Sequence, residues 1–401
     1  MLFKRFLCSD FEEIAERFFV AEDTFALTSY QLSVQERRFL LDISHPYITT
    51  LDLSAARIPI EGMPVEGFLL LGNRPQWEQV IRKLLRSRVE NTVPLLSQIL
   101  ELIYNRNLKP IRLPSGKQLS FERPMMMGVI NRTADSFYSK SRIESDQKAL
   151  DKALEMEQHG AQIIDVGGES SRPGSHGIPE AEEEERVIPT IRLLAKHLKI
   201  PVSVDTTKVE IARKAVDAGA DIVNDISGLS PDSELFDYVA NQRVPVVLMH
   251  IQGTPKTMQA RPTYQHVVRE VAERFESVLC ALREKDYPLH QVILDPGFGF
   301  GKSLPDNLYL WSQLSVFERF RLPILVGTSR KSVIGAITET AEPSERLPGT
   351  LATTTSGIAR SVNIFRVHDV KENFQVAKMA FFMMDFLCEG VNERGVHSET
   401  C

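Results

Sequence analysis

The residues with the most chemical potential stand at the ends of short apolar runs. Met125–Ile130 runs into Asn131-Arg-Thr-Ala-Asp-Ser-Phe137, and Gln162–Val166 ends in Asp165-Val-Gly-Gly-Glu-Ser-Ser171-Arg172-Pro173-Gly174. Later runs end in Asp205-Thr-Thr, Asn224-Asp225, Met249-His250, Asp295-Pro-Gly-Phe-Gly-Phe300-Gly-Lys302, Gly327-Thr-Ser329-Arg-Lys331 and Arg366-Val-His368-Asp369. Three kinds of chemistry are available. Ser171, Arg172, Arg366 and His368 suit an anion, because the guanidinium fork matches phosphate oxygens and a His can donate beside it. Asp205, Asn224 and Asp295 are short and rich in acceptors, so burial obliges them to find N–H partners, as the edge of an aminopyrimidinone ring would supply. Lys331 can meet a ring carbonyl or a developing negative charge. A helix cap accounts for one Asp or Asn after a strand; it does not account for Asp, Asn, Lys, Arg and His gathering after every one.

The elements that must hold them follow from the apolar pattern. Eight short apolar runs, Met125–Ile130, Gln162–Val166, Val202–Asp205, Ile222–Asn224, Val246–His250, Val292–Leu294, Ile324–Gly327 and Ile364–Val367, alternate with amphipathic stretches such as Glu180–Leu198, Val209–Ala218, His266–Lys285, Asp306–Phe320 and Val370–Phe386. Strands apolar along their whole length are those of a parallel sheet covered on both faces. Eight strand–helix units predict an α/β fold, a (β/α)8 TIM barrel whose active site lies at the C-terminal strand ends. A doubly wound sheet is the rival, but lacks its Gly-rich first turn here. Residues 1–110 carry no chemistry and read as a helical or α+β extension, with helical spacing over Pro75–Asn105. Residues 111–123 read as a β-hairpin around Pro-Ser-Gly, placed to plug one end of the barrel. The barrel occupies 124–390, and 391–401 is a tail.

Composition narrows the function. The 401 residues include 47 Lys and Arg against 53 Asp and Glu, a net charge of −6. That argues against a nucleic-acid partner, which needs a basic face. The four cysteines, Cys8, Cys280, Cys388 and Cys401, are far apart; they exclude a thiolate zinc site and fit a reducing cytoplasm. No apolar run reaches membrane-spanning length. Gly297–Ser303 resembles a phosphate-binding loop, but the required first Gly is Pro296. Glu182–Glu185 reads as a solvated helix start, its charge suited to a helix N-terminus.

Gly168-Glu-Ser-Ser-Arg-Pro-Gly174, Asp295-Pro-Gly-Phe-Gly-Phe-Gly-Lys302, Ser329-Arg-Lys331 and Arg366-Val-His-Asp-Val370, in this order and at strand ends, resemble the dihydropteroate synthase family. The resemblance covers roughly residues 115–390. It implies condensation of 6-hydroxymethyl-7,8-dihydropterin diphosphate with 4-aminobenzoate, with release of diphosphate. It also implies Mg²⁺ and diphosphate at Asn131, and diphosphate at Ser171, Arg172, Arg366 and His368. The pterin is implied at Asp205, Asn224, Met249, Asp295, Phe300, Gly327 and Lys331, and 4-aminobenzoate at Phe137, Pro173 and Ser329. The catalytic set is then Asn131, Arg172, Lys331, Arg366 and His368, in a homodimer. The first loop departs from the family pattern: Ala134 stands for Pro, Ser139 for Asp, and Lys140-Ser141 for two Gly. A catalytically weak pterin-binding paralogue and a pterin-dependent methyltransferase are the alternatives.

Overall fold

The computed structural model describes residues 108–132, 139–169, 177–253, 258 and 262–389, the side chains of 139–145 and 384–389 excepted, together with 24–28, 49–52, 68–73 and 79–80. The chain divides into two compact units, Met1–Asn107 and Leu108–Cys401. Within the first, β1 (Thr24–Thr28), β2 (Thr49–Asp52) and β3 (Phe68–Asn73) form an antiparallel sheet in the order β1-β3-β2. The helical spacing expected over Pro75–Asn105 falls outside the described residues except at Gln79 and Val80, which are helical.

The second unit opens with a hairpin, β4 (Ile111–Arg112) paired with β5 (Gln118–Leu119). Eight parallel strands follow: β6 (Met125–Asn131), β7 (Ala161–Gly167), β8 (Val202–Asp205), β9 (Ile222–Asp225), β10 (Val246–Met249), β11 (Val292–Asp295), β12 (Leu325–Val326) and β13 (Ile364–Val367). Their order is β11-β10-β9-β8-β7-β6-β13-β12, and a parallel bridge between Leu294 and Ile324 closes the ring. Between the strands lie α1 (Ser139–Gln158), α2 (Glu180–His197), α3 (Val209–Asp217), α4 (Glu234–Gln242), α5 (Val267–Glu284), α6 (Leu304–Ser312), α7 (Ser332–Thr338) and α8 (Leu347–Ile358), and α9 (Val370–Glu389) follows β13. This is the (β/α)8 barrel that the alternation predicts. Among the described residues no helix is long and apolar enough to cross a membrane.

Local chemistry sets the element ends. Ser303 caps α6 in a reciprocal box with Asp306, and Pro305 pre-sets its first turn. The apolar spacing over Asp306–Phe320 predicts one helix, but α6 ends at Ser312 and a 3-10 segment, Leu314–Phe320, takes over.

Strand alternation then divides the side chains. Met126, Ile164, Val204, Val223, Leu248, Leu294, Val326 and Phe365 point outward and pack against the helices in the main core. Met125, Met127, Ile163, Ile222, Val247, Ile293, Leu325 and Ile364 form a separate apolar cluster inside the barrel, joined by Ile111, Leu113, Leu119 and Phe121 of the hairpin. The hairpin is pinned at the N-terminal strand ends: Ser115 N–H donates to Asp221 Oδ1 at 3.0 Å and Lys117 Nζ to Ile200 O at 2.8 Å. One end of the barrel is thus plugged, and the other is left for polar groups.

Candidate active site

A strand's side chains repeat every two residues. Stepping two residues toward the C-terminus from the inner apolar layer leads from Ile163 to Asp165, from Ile222 to Asn224, from Val247 to Met249 and from Ile293 to Asp295. The same step leads from Leu325 to Gly327 and from Ile364 to Arg366. Asp205 ends β8 and Asn131 ends β6. The polar layer is therefore the next storey above the apolar one.

Arg366 is the hub. Its Nε donates to Asp165 Oδ2 at 2.6 Å and its Nη2 to Asp205 Oδ2 at 2.7 Å. Asn224 Nδ2 donates to the same Asp165 oxygen at 3.1 Å. Burial works against the guanidinium charge, but Asp165 and Asp205 outweigh it and hold the group protonated. Burial lifts the Asp205 carboxyl to about 7, although Arg366 pulls it back. Burial raises the Asp295 carboxyl as well, opposed by Lys331. Lys331 is lowered to about 8 by its own burial, against the pull of Asp295. Its Nζ donates to Phe298 O at 2.6 Å and stands 4.3 Å from the centre of the Phe300 ring. Phe300 packs with Met249 and Met258. Gly327 lies beside Arg366 and Lys331: a methyl group there would touch Arg366 Cβ at 3.7 Å and Lys331 Nζ at 3.9 Å.

The loop after β11 requires glycine at Gly297 and at Gly301, where φ is +58° and a Cβ would lie 2.4 Å from Gln252 O. Gly297 has φ +71°, and a Cβ would lie 1.9 Å from His250 O. Lys302, which the failed phosphate-loop pattern brings to notice, is turned inward. Its Nζ donates to the carbonyls of Gly297 at 3.0 Å, Phe300 at 3.1 Å and His250 at 3.3 Å, and approaches His250 Nδ1 at 3.0 Å. This buried amine, lowered to about 7 by its desolvation, staples the loops after β10 and β11 together.

Ser329 is buried against His368. The His368 backbone N–H donates to Ser329 Oγ at 3.2 Å, and Ser329 Oγ lies 3.0 Å from His368 Nδ1. The hydroxyl has one O–H and two lone pairs, so the contact fits both tautomers of the ring; in the one where the hydroxyl donates to Nδ1, Nε2–H is the ring's donor. Burial, then Arg366, lowers His368 to about 4, so the imidazole is neutral near pH 7. The neighbouring Arg330, at φ +58°, reaches Asp369 through Nε at 2.8 Å and Nη2 at 2.5 Å, which ties the loops after β12 and β13.

The structure thus brings Asp205, Asn224, Asp295, Lys331 and Arg366 into one network of contacts and charges, with Met249, Phe300 and Gly327 on its walls and Ser329 paired to His368 beside it. Asn131 is exposed at the rim. Phe137, Ser171, Arg172, Pro173 and the substitution at Ala134 lie outside the described residues, as do the side chains of Ser139, Lys140 and Ser141. One expectation is corrected. Glu183 is not solvated but 1% exposed. Lys208, from the loop before α3, reaches over to it at 2.5 Å and to Glu169 at 2.9 Å. Asp165 has no role in the sequence reading; its inward parity, two residues past Ile163, is the signal that finds it.

Residues 127–368 match the family described as pterin binding enzyme. The chain is also 43% identical over 273 residues to the dihydropteroate synthase of Synechocystis sp., covering 68% of this chain and 94% of the relative.

The chain belongs to the dihydropteroate synthase family.

Solved structures of the family superpose on it. The Yersinia pestis dihydropteroate synthase, crystallised with a sulfonamide drug complex, gives a TM-score of 0.65 at 36% identity over 69% of this chain and 99% of that one. The Xanthomonas albilineans dihydropteroate synthase with 4-aminobenzoic acid gives 0.63 at 36% identity over 69% and 98%. The family match begins on β6 and ends at His368, so it spans every strand that carries the polar layer.

Proposed function

We propose that this chain is a dihydropteroate synthase that joins 6-hydroxymethyl-7,8-dihydropterin diphosphate to 4-aminobenzoate and releases diphosphate. The observation that carries the reading is the Arg366 network. Buried carboxylates with raised proton affinity, a buried Lys and a guanidinium converge at the open end of a barrel whose family is shown. Asp205, Asn224 and Asp295 offer acceptors for ring N–H groups, Lys331 a donor for the ring carbonyl, and Met249 and Phe300 apolar faces. Arg366 and the Nε2–H of His368 receive the diphosphate, joined by Ser171 and Arg172. Asn131 takes diphosphate at the rim, and Phe137, Pro173 and Ser329 shape the aminobenzoate side.

The bond that breaks is the C–O bond to diphosphate, whose oxygen keeps the electron pair. Positive charge grows on the pterin methylene and spreads into the ring, where the Asp205 and Asp295 carboxylates favour it. The aniline nitrogen, nucleophilic while neutral, forms the new C–N bond and loses its proton to solvent. Catalysis is leaving-group stabilisation plus orientation.

The donor set accommodates Mg²⁺. Among the described residues no group of three or more His, Cys, Asp or Glu could hold a metal, whereas Asn131, exposed at the end of β6, carries an amide oxygen. That suits an ion bound through substrate phosphates, water and one or two protein oxygens. When bound it neutralises diphosphate charge.

A homodimer is part of the same reading. Met379, Phe382 and Met383 are spaced along one stripe of α9 and are 63%, 46% and 58% exposed, an apolar face that a second copy would cover. Sedimentation tests this, with Met383→Glu expected to favour monomers and an unchanged monomer in the parent chain counting against it. The cysteine usage supports a reaction in a reducing cytoplasm.

The functional test is diphosphate release from the pterin diphosphate with Mg²⁺, in the presence and absence of 4-aminobenzoate. Release that depends on 4-aminobenzoate is expected. Tight pterin binding with no release would instead identify a weak paralogue.

A further inference from the structure

One buried carboxylate is left without a task by that mechanism. Asp165 lies on β7 and is fully buried. Its Oδ2 accepts from both Arg366 Nε and Asn224 Nδ2. Its Oδ1 is buried and has no hydrogen-bond partner among the described residues. Burial of a half-satisfied carboxylate is costly, and an apolar residue in a barrel interior commonly folds better. A carboxylate at this place therefore calls for a reason other than stability.

Donor arithmetic supplies one. Arg366 carries five N–H groups. Asp165 takes the Nε–H and Asp205 one Nη2–H, which leaves Nη1 and the second Nη2–H for a ligand. The two carboxylates differ in depth: Asp165 has no exposed surface, whereas the Asp205 side chain is 12% exposed. Asp205 is also the one assigned to the ring. Once it turns to the pterin, Asp165 alone keeps the guanidinium in place.

We propose that Asp165 is a positioning residue: anchored on Arg366 Nε, it keeps the rest of the guanidinium aimed at the diphosphate while Asp205 is engaged by the pterin ring. The proposal rests on the reading of the site given above. It adds no step to the reaction and moves no proton.

Calorimetric binding of 6-hydroxymethyl-7,8-dihydropterin diphosphate to the full chain, to Asp165→Asn, to Arg366→Met and to the double variant tests it. Replacing the charge-assisted bond with a neutral one weakens the anchor, so Asp165→Asn should bind at least 10-fold more weakly than the parent. In the Arg366→Met background the same change should alter affinity by less than 2-fold, because the group acted on is gone. A second readout is the pH profile of kcat/KM. Arg366, Asp165, Glu183 and Asp225 act on Asp205, and Lys331 interacts with it as well. Loss of the Asp165 charge removes a repulsion and gives Asp205 a larger share of Arg366, so the acid limb moves to lower pH, which a packing defect would not do. Melting curves accompany each variant. Should Asp165→Asn not fold, Asp165→Ser is judged by the same criteria, since its register partner on β8, Ser203, is already a buried hydroxyl. Equal losses with and without Arg366, or no loss at all, would overturn the proposal while leaving the function intact. Failure of the parent chain to bind the pterin diphosphate would overturn the functional reading, and this proposal with it.

Discussion

At the scale of single residues, the site is governed by burial acting on charge. Asp205 is the clearest case. Its carboxyl is lifted to about 7 because desolvation outweighs the nearby guanidinium. An unfolded Asp titrates near ~4. The Asp205 contribution to stability is therefore complete below about pH 4 and is lost as the pH rises through about 7. On the proposed function that cost holds an acceptor ready for ring N–H donors, and the acceptor is fully formed only above that pH. We expect kcat/KM for the pterin diphosphate to rise through about pH 7 and level above it. Asp205→Asn should lower the plateau and remove that limb; a limb unchanged in the variant would assign the titration to another group. His368 works in the opposite sense. Burial lowers it to about 4, so in the proposed reaction it would meet diphosphate as a neutral donor and not as a cation.

At the scale of elements, the decisive features are the close approaches between loops. The turn after β11 passes so near β10 that Gly297 has no room for a side chain, and Lys302 ties the same two segments through three carbonyls. Gly297→Ala meets both a backbone carbonyl and a left-handed φ. The expected cost is about 3–5 kcal/mol of stability, with pterin affinity lost in any folded fraction because Asp295, whose Oδ1 accepts from Gly297 N–H at 2.8 Å, is displaced. Thermal melting and binding check this; a variant that melts and binds like the parent would show that the turn is softer than its geometry says.

Much of this scale can be read from the residues alone. Each strand is an apolar run that stops at a polar residue, so the barrel and its rim follow from Asp205, Asn224, Asp295 and Arg366. What escapes is whatever depends on a partner far along the chain. Glu183 reads as solvated because its cover, Lys208, comes from beyond the next strand. Asp165 stands among the polar strand ends but receives no role, because its partners Asn224 and Arg366 come from distant strands. The division of Asp306–Phe320 into an α-helix and a 3-10 segment is hidden because Leu310, Leu314 and Phe317, all buried, keep a helical spacing across the break.

At the scale of the whole barrel unit, stability and chemistry occupy opposite ends. The hairpin side chains Ile111, Leu113, Leu119 and Phe121 fill the N-terminal end, and the Arg366 network fills the other. Phe121→Ala should thus cost about 3–5 kcal/mol yet leave turnover per folded molecule within about 2-fold of the parent. Melting curves and a titration of active sites separate the two effects; a large fall in turnover per site would mean that the plug governs the rim.

The central claim is that side chains from separate strands hold one fused heterocycle and its charged tail together. A crystal structure of the chain with bound 6-hydroxymethyl-7,8-dihydropterin diphosphate tests it most directly. The account predicts ring nitrogens within hydrogen-bond distance of Asp205, Asn224 and Asp295, the ring carbonyl on Lys331, and diphosphate oxygens on Arg366 and His368. A ring seated away from these carboxylates, or a diphosphate that leaves Arg366 untouched, would refute it.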